Sequence, residues 1–122
     1  MNANLFEVVM DLQDSALSER ATFLCSKAQI PGSVPETNIQ IIDDGSDIRF
    51  AVLAWSNHGD GRDLVLTQYN KDGPVERIWT LTNAVPTVVG PIQLDWSDPD
   101  PATYTVKFKY EHCESRGYEL LP

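Results

Sequence analysis

The side chains best suited to metal binding or nucleophilic chemistry in this chain are His58, His112, Cys25 and Cys113. Such chemistry needs these residue types at set spacings, as in H-E-x-x-H, C-x-x-C or the G-x-S-x-G turn. The sequence contains none of these motifs, and Gly59-Asp60-Gly61 lacks the Lys-Ser/Thr that follows in a phosphate-binding loop. We therefore expect no catalytic residue, metal site or cofactor, and we interpret His58 as a solvated side chain in a glycine-rich turn.

The two cysteines each lie within a strand-like run, Cys25 in the first quarter of the chain and Cys113 near its end. Two cysteines are too few for a disulfide scaffold. Free thiols that pack as small apolar side chains in a reducing compartment are the favoured interpretation. A single disulfide between them, joining the first hairpin to the last strand, stays open as an alternative.

Acidic residues gather at three places that could bind calcium or supply a pair of catalytic carboxylates. The clusters are Asp43/Asp44/Asp47, Asp60/Asp63 and Asp98/Asp100. None has the alternating ligands, central glycine and distant glutamate of an EF-hand loop. Aspartate also favours turns because its side chain hydrogen-bonds the nearby backbone, and we interpret the clusters in that way. A general acid and base drawn from these carboxylates remains a minor alternative, which nothing in the sequence marks out.

Aromatic residues are frequent enough to form a stacking platform for bases or sugars. The candidates are Trp55, Trp79, Trp96, Tyr104, Phe108 and Tyr110. Such platforms are normally accompanied by basic residues, which are scarce around these positions. Roles in the core or at a subunit interface are therefore favoured.

The charge balance excludes several classes of function. The chain has 122 residues, with 9 Lys and Arg against 18 Asp and Glu, which gives a net charge of −9. A nucleic-acid binder or a protein on an anionic membrane needs the opposite sign. A hydrophobic content of 42% argues against disorder, and the length indicates one domain, residues 1–122. No signal peptide or membrane-spanning run is apparent, so we expect no membrane insertion.

Alternation of apolar and polar residues with period two dominates the chain and predicts strands. It is clearest in residues 5–12, where Phe6, Val8, Met10 and Leu12 share a face, and in residues 103–112. Further strand candidates are residues 21–28, 36–43, 47–54, 63–70 and 75–82. Seven short strands with frequent turns predict an all-β sandwich or barrel with little or no helix.

Turn residues separate these predicted strands. Residues 43–47 and 70–74 are predicted to be hairpin turns, residues 57–61 a flexible turn, and residues 30–35 and 97–101 loops rich in proline. Residues 15–20 could form one helical turn with Ser15 as N-cap, but we predict a loop. Without helices, the sheet edges stay open, and pairing between subunits is the natural way to cover them.

Residues 85–96, with the sequence VPTVVGPIQLDW, precede an acidic gap and a strand that ends at Tyr110. This segment resembles the tail tube proteins of contractile-tailed bacteriophages. Segments 4–8, 23–32 and 68–73 match the same family in order, so the resemblance spans about residues 4–112. The matching motif residues are Phe6, Phe23, Pro86, Gly90, Leu94, Asp95 and Trp96. Family members also carry a helix before the central hairpin, and with only residues 57–62 left for it, we expect that helix to be missing.

The resemblance implies a structural virion protein rather than an enzyme. Six subunits would form a ring in which the inward-facing sheets join edge to edge into one β-barrel, and the rings would stack into a tube inside the tail sheath. Phage DNA would pass through the tube without specific binding. The implied partners are further copies of the chain and the sheath, baseplate and tape-measure proteins, in a virion tail assembled in the host cytoplasm. Residues 1–3 and 114–122 would be terminal arms at ring contacts.

An acidic lumen explains the charge, because a basic wall would hold the phosphates that must slide past it. Candidate lumen residues are Glu7, Asp11, Asp43, Asp44, Asp47 and Glu76. Candidate ring-stacking residues in the two proline-rich loops are Pro31, Gly32, Pro35, Asp98 and Pro99. Three alternatives stay open: a tube initiator or terminator that forms one ring, the tube of another contractile injection machine, and a monomeric β-sandwich that binds a glycan or peptide.

Overall fold

A computed structural model describes residues 5–70, 72 and 74–117. The elements are β1 (Phe6–Met10), α1 (Ser15–Leu24), β2 (Cys25–Ala28), β3 (Glu36–Ile42), α2 (Ile48–His58), β4 (Arg62–Tyr69), β5 (Val75–Val89), β6 (Thr103–Lys109) and β7 (His112–Gly117). The predicted seven-stranded, mostly β fold is confirmed. Neither helix has the length and hydrophobicity to span a membrane.

All strand pairs are antiparallel, in the order β1-β4-β5-β6-β3-β2, with β7 also paired to β5. The first half of β5 lies between β4 and β7, and its second half pairs with β6. Asn83, between the two halves, has a left-handed φ of 56°. We name β1, β4, β7 and the first half of β5 sheet A, and β2, β3, β6 and the second half of β5 sheet B.

The core lies between the inward faces of the two sheets and helix α2. Sheet A supplies Val8, Met10, Leu64, Leu66 and Leu81, sheet B supplies Ile39, Ile41, Tyr104, Val106 and Phe108, and α2 supplies Ile48, Val52 and Trp55. The rings of Trp55 and Phe108 meet at a centroid distance of 5.5 Å. Aromatic pairs at such distances are favourable beyond their buried area, so this contact ties α2 to sheet B.

Helix α1 corrects the prediction of a loop over residues 15–20 and a strand over residues 21–28. The helix runs to Leu24, and only the last four residues of the predicted strand form β2. Its N-cap is Asp14, whose carboxylate accepts the Leu17 N–H at 3.0 Å, and not Ser15. Its apolar stripe is short, because Ala21 is buried while Leu17 and Leu24 are only partly buried against the core, so the sequence pattern is weak.

Helix α2 corrects a second strand prediction, over residues 47–54. Ile48, Val52 and Trp55 face the core at helical spacing, while Phe50 is 70% exposed. The apolar Phe50 produced a false alternation with its neighbours, so the pattern resembled a strand. Residues 43–47 therefore lead into a helix and do not form a hairpin turn. The expectation that a helix before β4 is missing is also wrong, because α2 occupies that place.

Two strand boundaries also differ from the prediction. Strand β5 continues beyond residue 82 to Val89 and so includes part of the segment that carries the family resemblance. The predicted strand 103–112 divides at Tyr110 into β6 and β7. Residues 114–117 of the predicted terminal arm belong to β7, whereas residues 1–4 and 118–122 lie outside the described residues.

Candidate assembly surfaces

The histidines and cysteines named above do not come together. His58 ends α2, and His112 begins β7, where its Nε2 lies 4.0 Å from Glu114 Oε2. Within the described ranges, no three His, Cys, Asp or Glu side chains are placed to share a metal ion. Both thiols are free, and burial raises the pKa of Cys25 to about 12, as expected for a packed apolar side chain.

The predicted turn-forming role of the acidic clusters holds for Asp43, Asp44 and Asp98. Asp60 instead pairs with Arg62, and Asp63 lies on β4. Five aspartates each accept the backbone N–H two residues further along the chain, at 2.8 to 3.2 Å: Asp11, Asp43, Asp44, Asp95 and Asp98. Asp44 also accepts from Arg20 Nε at 2.6 Å. Hydrogen bonds from Ser46, and then Arg20, lower the pKa of Asp44 to about 2.

The six candidate lumen acids do not share one surface. Glu7 lies on β1, and Asp11 follows the same strand. Asp43, Asp44 and Asp47 lie in the connection from β3 to α2, whereas Glu76 lies near the start of β5. The carboxylate of Glu7 accepts the Tyr69 hydroxyl at 3.5 Å; burial, and then this carboxylate, raise the pKa of Tyr69.

The outward face of sheet A, opposite the core, is only partly exposed and mixes apolar and charged side chains. Strand register places Glu7, Thr67, Ile78 and Arg116 in one row and Val9, Val65, Thr80 and Glu114 in the next. Val9 is 43% exposed on this face. Exposed apolar side chains on an uncovered sheet face, such as Val9, are typical of a surface that meets a partner.

The outward face of sheet B carries mainly positive charge. It carries Lys27, Lys107 and Lys109, three of the four lysines in the sequence. Glu36 lies among them, with its Oε1 3.7 Å from Lys107 Nζ. The lysines therefore gather on one face of a chain that is otherwise strongly acidic.

Among the described residues, each sheet keeps two strand edges without a partner strand. In sheet A these are β1 and β7, and in sheet B they are β2 and residues 85–89 of β5. Five of the six residues of β7 are exposed. Free edges expose unpaired N–H and C=O groups, which are ready to pair with another chain.

The connection from β5 to β6, residues 90–102, is the longest loop described, and we call it the long loop. Its residues 93–101 are all exposed, including Leu94 at 84% and Trp96 at 99%. Asp95 organises the tip, because its carboxylate accepts two hydrogen bonds from Ser97, from the backbone N–H at 3.0 Å and from the side-chain hydroxyl at 2.7 Å. The same hydrogen bonds lower the pKa of Asp95.

The base of the long loop is held tightly. Gly90 N–H donates to Thr105 O at 2.8 Å, and a Cβ on Gly90 would lie 2.9 Å from that same oxygen. Arg49 Nη2 donates to the Gly90 carbonyl at 2.8 Å, and its guanidinium lies 5.5 Å from the centre of the Tyr104 ring. At the other end, Asp43 N–H donates to Ala102 O at 2.9 Å.

Sequence reasoning missed Arg49 and Arg62. Arg62 pairs with Asp60 at 2.7 Å, donates to the Asp11 carbonyl and stacks over Trp55 at 4.7 Å. The ion pair lowers the pKa of Asp60. A lone arginine within an apolar segment was the available signal for Arg49, but it does not reveal which distant carbonyl the side chain reaches.

The family-motif residues divide into two groups. Phe6 packs against the core, Pro86 is buried, and Gly90 allows the close approach to Thr105. Phe23, Leu94, Asp95 and Trp96 are exposed. The candidate aromatic platform is also divided: Trp55, Tyr104, Phe108 and Tyr110 are buried, and Trp96 is far from the core.

The two loops predicted to stack rings lie at opposite ends of sheet B. Pro31, Gly32 and Pro35 precede β3, while Asp98 and Pro99 lie in the long loop that precedes β6. Because β3 and β6 are antiparallel, their starts lie at opposite ends of the sheet. The loops could therefore meet only between copies stacked one above another.

A cleft opens where β1, the β4–β5 hairpin and the end of β2 converge. Its wider part has a volume of about 810 Å³ and its narrower part about 180 Å³. Ile30, Gln68 and Trp79 line both parts. Leu5 and Phe6 make the narrow part apolar, and Arg77 lies in the wide part.

Comparison of the chain with known sequences gives no match to a protein-family model and none to a curated protein. The fold, in contrast, matches solved structures of contractile injection systems. A chain in the structure of the PVC sheath/tube terminator, from an extracellular contractile injection system, aligns with a TM-score of 0.65 at 11% identity, covering 96% of both chains. The anti-feeding prophage tube-terminating cap aligns with a TM-score of 0.63 at 16% identity, covering 96% of this chain and 91% of the other.

Hcp1 from Salmonella typhimurium aligns with a TM-score of 0.63 at 8% identity, covering 93% of this chain and 86% of the other. The fold is therefore that of the tube proteins of contractile injection systems, which confirms the resemblance to tail tube proteins.

Proposed function

We propose that this protein is a self-assembling tube subunit of a contractile tail, forming hexameric rings that stack around a central channel. The observation that carries the proposal is the set of free strand edges in a fold shared with tube proteins. Edge-to-edge pairing around a closed ring satisfies those edges and prevents open-ended aggregation. The sheath, baseplate and tape-measure proteins are its proposed partners, in a virion-type tail assembled in the host cytoplasm.

In this proposal the outward face of sheet A lines the channel. Glu7 and Asp11 belong to that side of the sheet, whereas three lysines occupy the outward face of sheet B. That face carries Glu7 and Glu114 against one arginine, Arg116, so it offers phosphates few binding sites and DNA could slide along it. Asp43, Asp44, Asp47 and Glu76 would then contribute at the rims between rings.

A second candidate is the tube, or the tube terminator, of an injection system that delivers another cargo. It is favoured by the structural neighbours, which include a sheath/tube terminator and a tube-terminating cap. A terminator uses the same ring but stops stacking. Whether the protein is a tube subunit or a terminator therefore depends on the contact between one ring and the next.

Negative-stain electron microscopy of the purified protein at high concentration tests these proposals. Long tubes with a central channel are the expected result. Closed rings that never elongate would favour the terminator, and a species that stays monomeric at every concentration would contradict both proposals and favour a ligand-binding β-sandwich.

A further inference from the structure

We propose that the long loop of one copy inserts Leu94 and Trp96 into the cleft beside the β4–β5 hairpin of the next copy along the tube. The inference rests on the proposed tube function and assigns the residues on each side of the ring-to-ring contact. The partner is a second copy of this chain, in the same orientation.

The first observation is the shape of the loop. Two large apolar side chains stand almost fully exposed at its tip, while Ile92 packs against the core near its base. Turns at Asp95 and Asp98 preform the tip, and Arg49 and Gly90 fix the point where it leaves the sheet. A preformed loop loses little conformational entropy on docking, so its apolar side chains are well suited to enter a partner.

The second observation is that the cleft offers the matching surface. Leu5 and Ile30 are each 53% exposed there, and Trp79 forms part of the lining. Arg77 donates to Ser115 Oγ at 3.2 Å and pairs with no carboxylate among the described residues. It therefore supplies a cation for a loop with aspartates at 95, 98 and 100, in a part of the cleft that Asp72 and Glu76 also line.

The third observation is polarity. Ile30, in the lining of the cleft, lies beside the start of β3, whereas the long loop meets the end of β3, so the two lie at opposite ends of sheet B. The loop and cleft of one copy cannot close on each other, but in copies stacked in one orientation they face each other. Such a head-to-tail contact propagates without limit, which is the symmetry that a tube requires.

The contact area explains why the ring must form first. A large aromatic side chain buries about 150–250 Å², so one loop tip with its leucine covers roughly 300–400 Å². That is about half of the ~800 Å² per partner in a standard stable interface. One loop would hold a pair of subunits weakly, but six loops acting together around a ring would hold two rings firmly.

Disulfide trapping tests the contact directly. Ser97→Cys, next to Trp96, is combined with Ile30→Cys in a chain whose own cysteines are replaced, Cys25→Ala and Cys113→Ala. Mild oxidation of assembled protein should give a ladder of covalent multimers on a denaturing gel, because each copy bonds to one above and one below. Neither single-cysteine chain should give a ladder. Tubes that form without a ladder in the double variant would overturn the inference and leave the tube function intact.

Trp96→Ala supplies an independent test. Because Trp96 is 99% exposed, the variant should keep its far-UV circular dichroism and melting temperature. We expect at least a tenfold loss of protein in pelletable tubes, with single rings remaining. Phe50→Ala, which removes another exposed aromatic side chain on α2, should pellet as the unsubstituted protein does. Equal tube formation by Trp96→Ala would overturn the inference, whereas an unsubstituted protein without rings or tubes would instead contradict the proposed function.

Discussion

At the residue scale, a few polar side chains decide how the apolar loop tip is presented. Arg49 and Gly90 hold its base, and Asp95 shapes its turn. Arg62 performs a similar role at the end of α2, where it pairs with Asp60 and stacks over Trp55. Each of these groups fixes the shape of a connection between elements.

Replacement of Gly90 by alanine should destabilise the protein by about 1–3 kcal/mol, since backbone must move to admit the extra carbon. Its Cβ would lie 2.9 Å from the Thr105 carbonyl oxygen. The matched control is Gly32→Ala, where nothing lies within 4 Å and the change should stay within about 0.5 kcal/mol. Urea unfolding followed by fluorescence measures both, and equal midpoints for the two variants would contradict the steric argument.

The Asp44 turn should make stability depend on pH. Its folded pKa of about 2 lies below the ordinary aspartate value near 3.9, so its contribution is full above about pH 4 and disappears as the pH falls toward 2. Asp44→Asn should therefore lower the melting temperature at pH 6 and have little effect at pH 2. Asp47→Asn is the control, because Asp47 makes no capping hydrogen bond. A melting difference for Asp44→Asn that is constant from pH 6 to pH 2 would contradict this assignment.

At the element scale, the two helices show how tertiary packing overrides a local pattern. Helix α1 buries only Ala21 fully and exposes Phe23, and α2 places exposed Phe50 among core-facing residues. Each helix has core-facing residues at helical spacing, but the exposed phenylalanine interrupts the pattern in the sequence. Strands β3, β4 and β6, whose buried residues alternate regularly, were predicted within one to three residues of their bounds.

The N-cap of α1 offers a test at this scale. Asp14→Ala removes the acceptor of the Leu17 N–H and should cost about 1 kcal/mol. Ser15→Ala, at the position that the sequence suggested as the cap, should be near neutral because Ser15 is the first helical residue. Chemical denaturation of the two variants compares them directly. A larger loss for Ser15→Ala would return the cap to the position predicted from sequence.

At the scale of the whole molecule, the charged residues and the free strand edges lie on different sides of the subunit. The lysines lie outward on sheet B, uncovered apolar residues lie outward on sheet A, and the loop and the cleft lie at opposite ends of sheet B. Each direction therefore has a different character, as expected of a subunit that contacts neighbours around a ring and along a stack. A protein that worked as a monomer, even one with a net charge of −9, would not need its surfaces to differ by direction in this way.

The proposed acidic channel leads to a prediction about delivery. Glu7→Lys together with Asp11→Lys should leave tube assembly intact but slow the release of DNA, because a basic wall adds phosphate contacts. Lys107→Glu, on the outward face of sheet B, is the control and should not slow release. Ejection kinetics from assembled particles, measured at two salt concentrations, provide the readout. Normal release from the double variant would show that those carboxylates do not line the path.

The sequence alone determined the strand-rich class, several turn positions and the family resemblance, because alternation, aspartate turns and the 85–96 motif are local features. It could not determine that residues 48–58 form a helix, that β5 joins both sheets, or that Leu94 and Trp96 face outward. Those outcomes depend on which distant surfaces are available to bury a side chain. Trp55 finds Phe108 across the core, while Trp96, an equally apolar residue, lies on a loop that the sheet holds away from it.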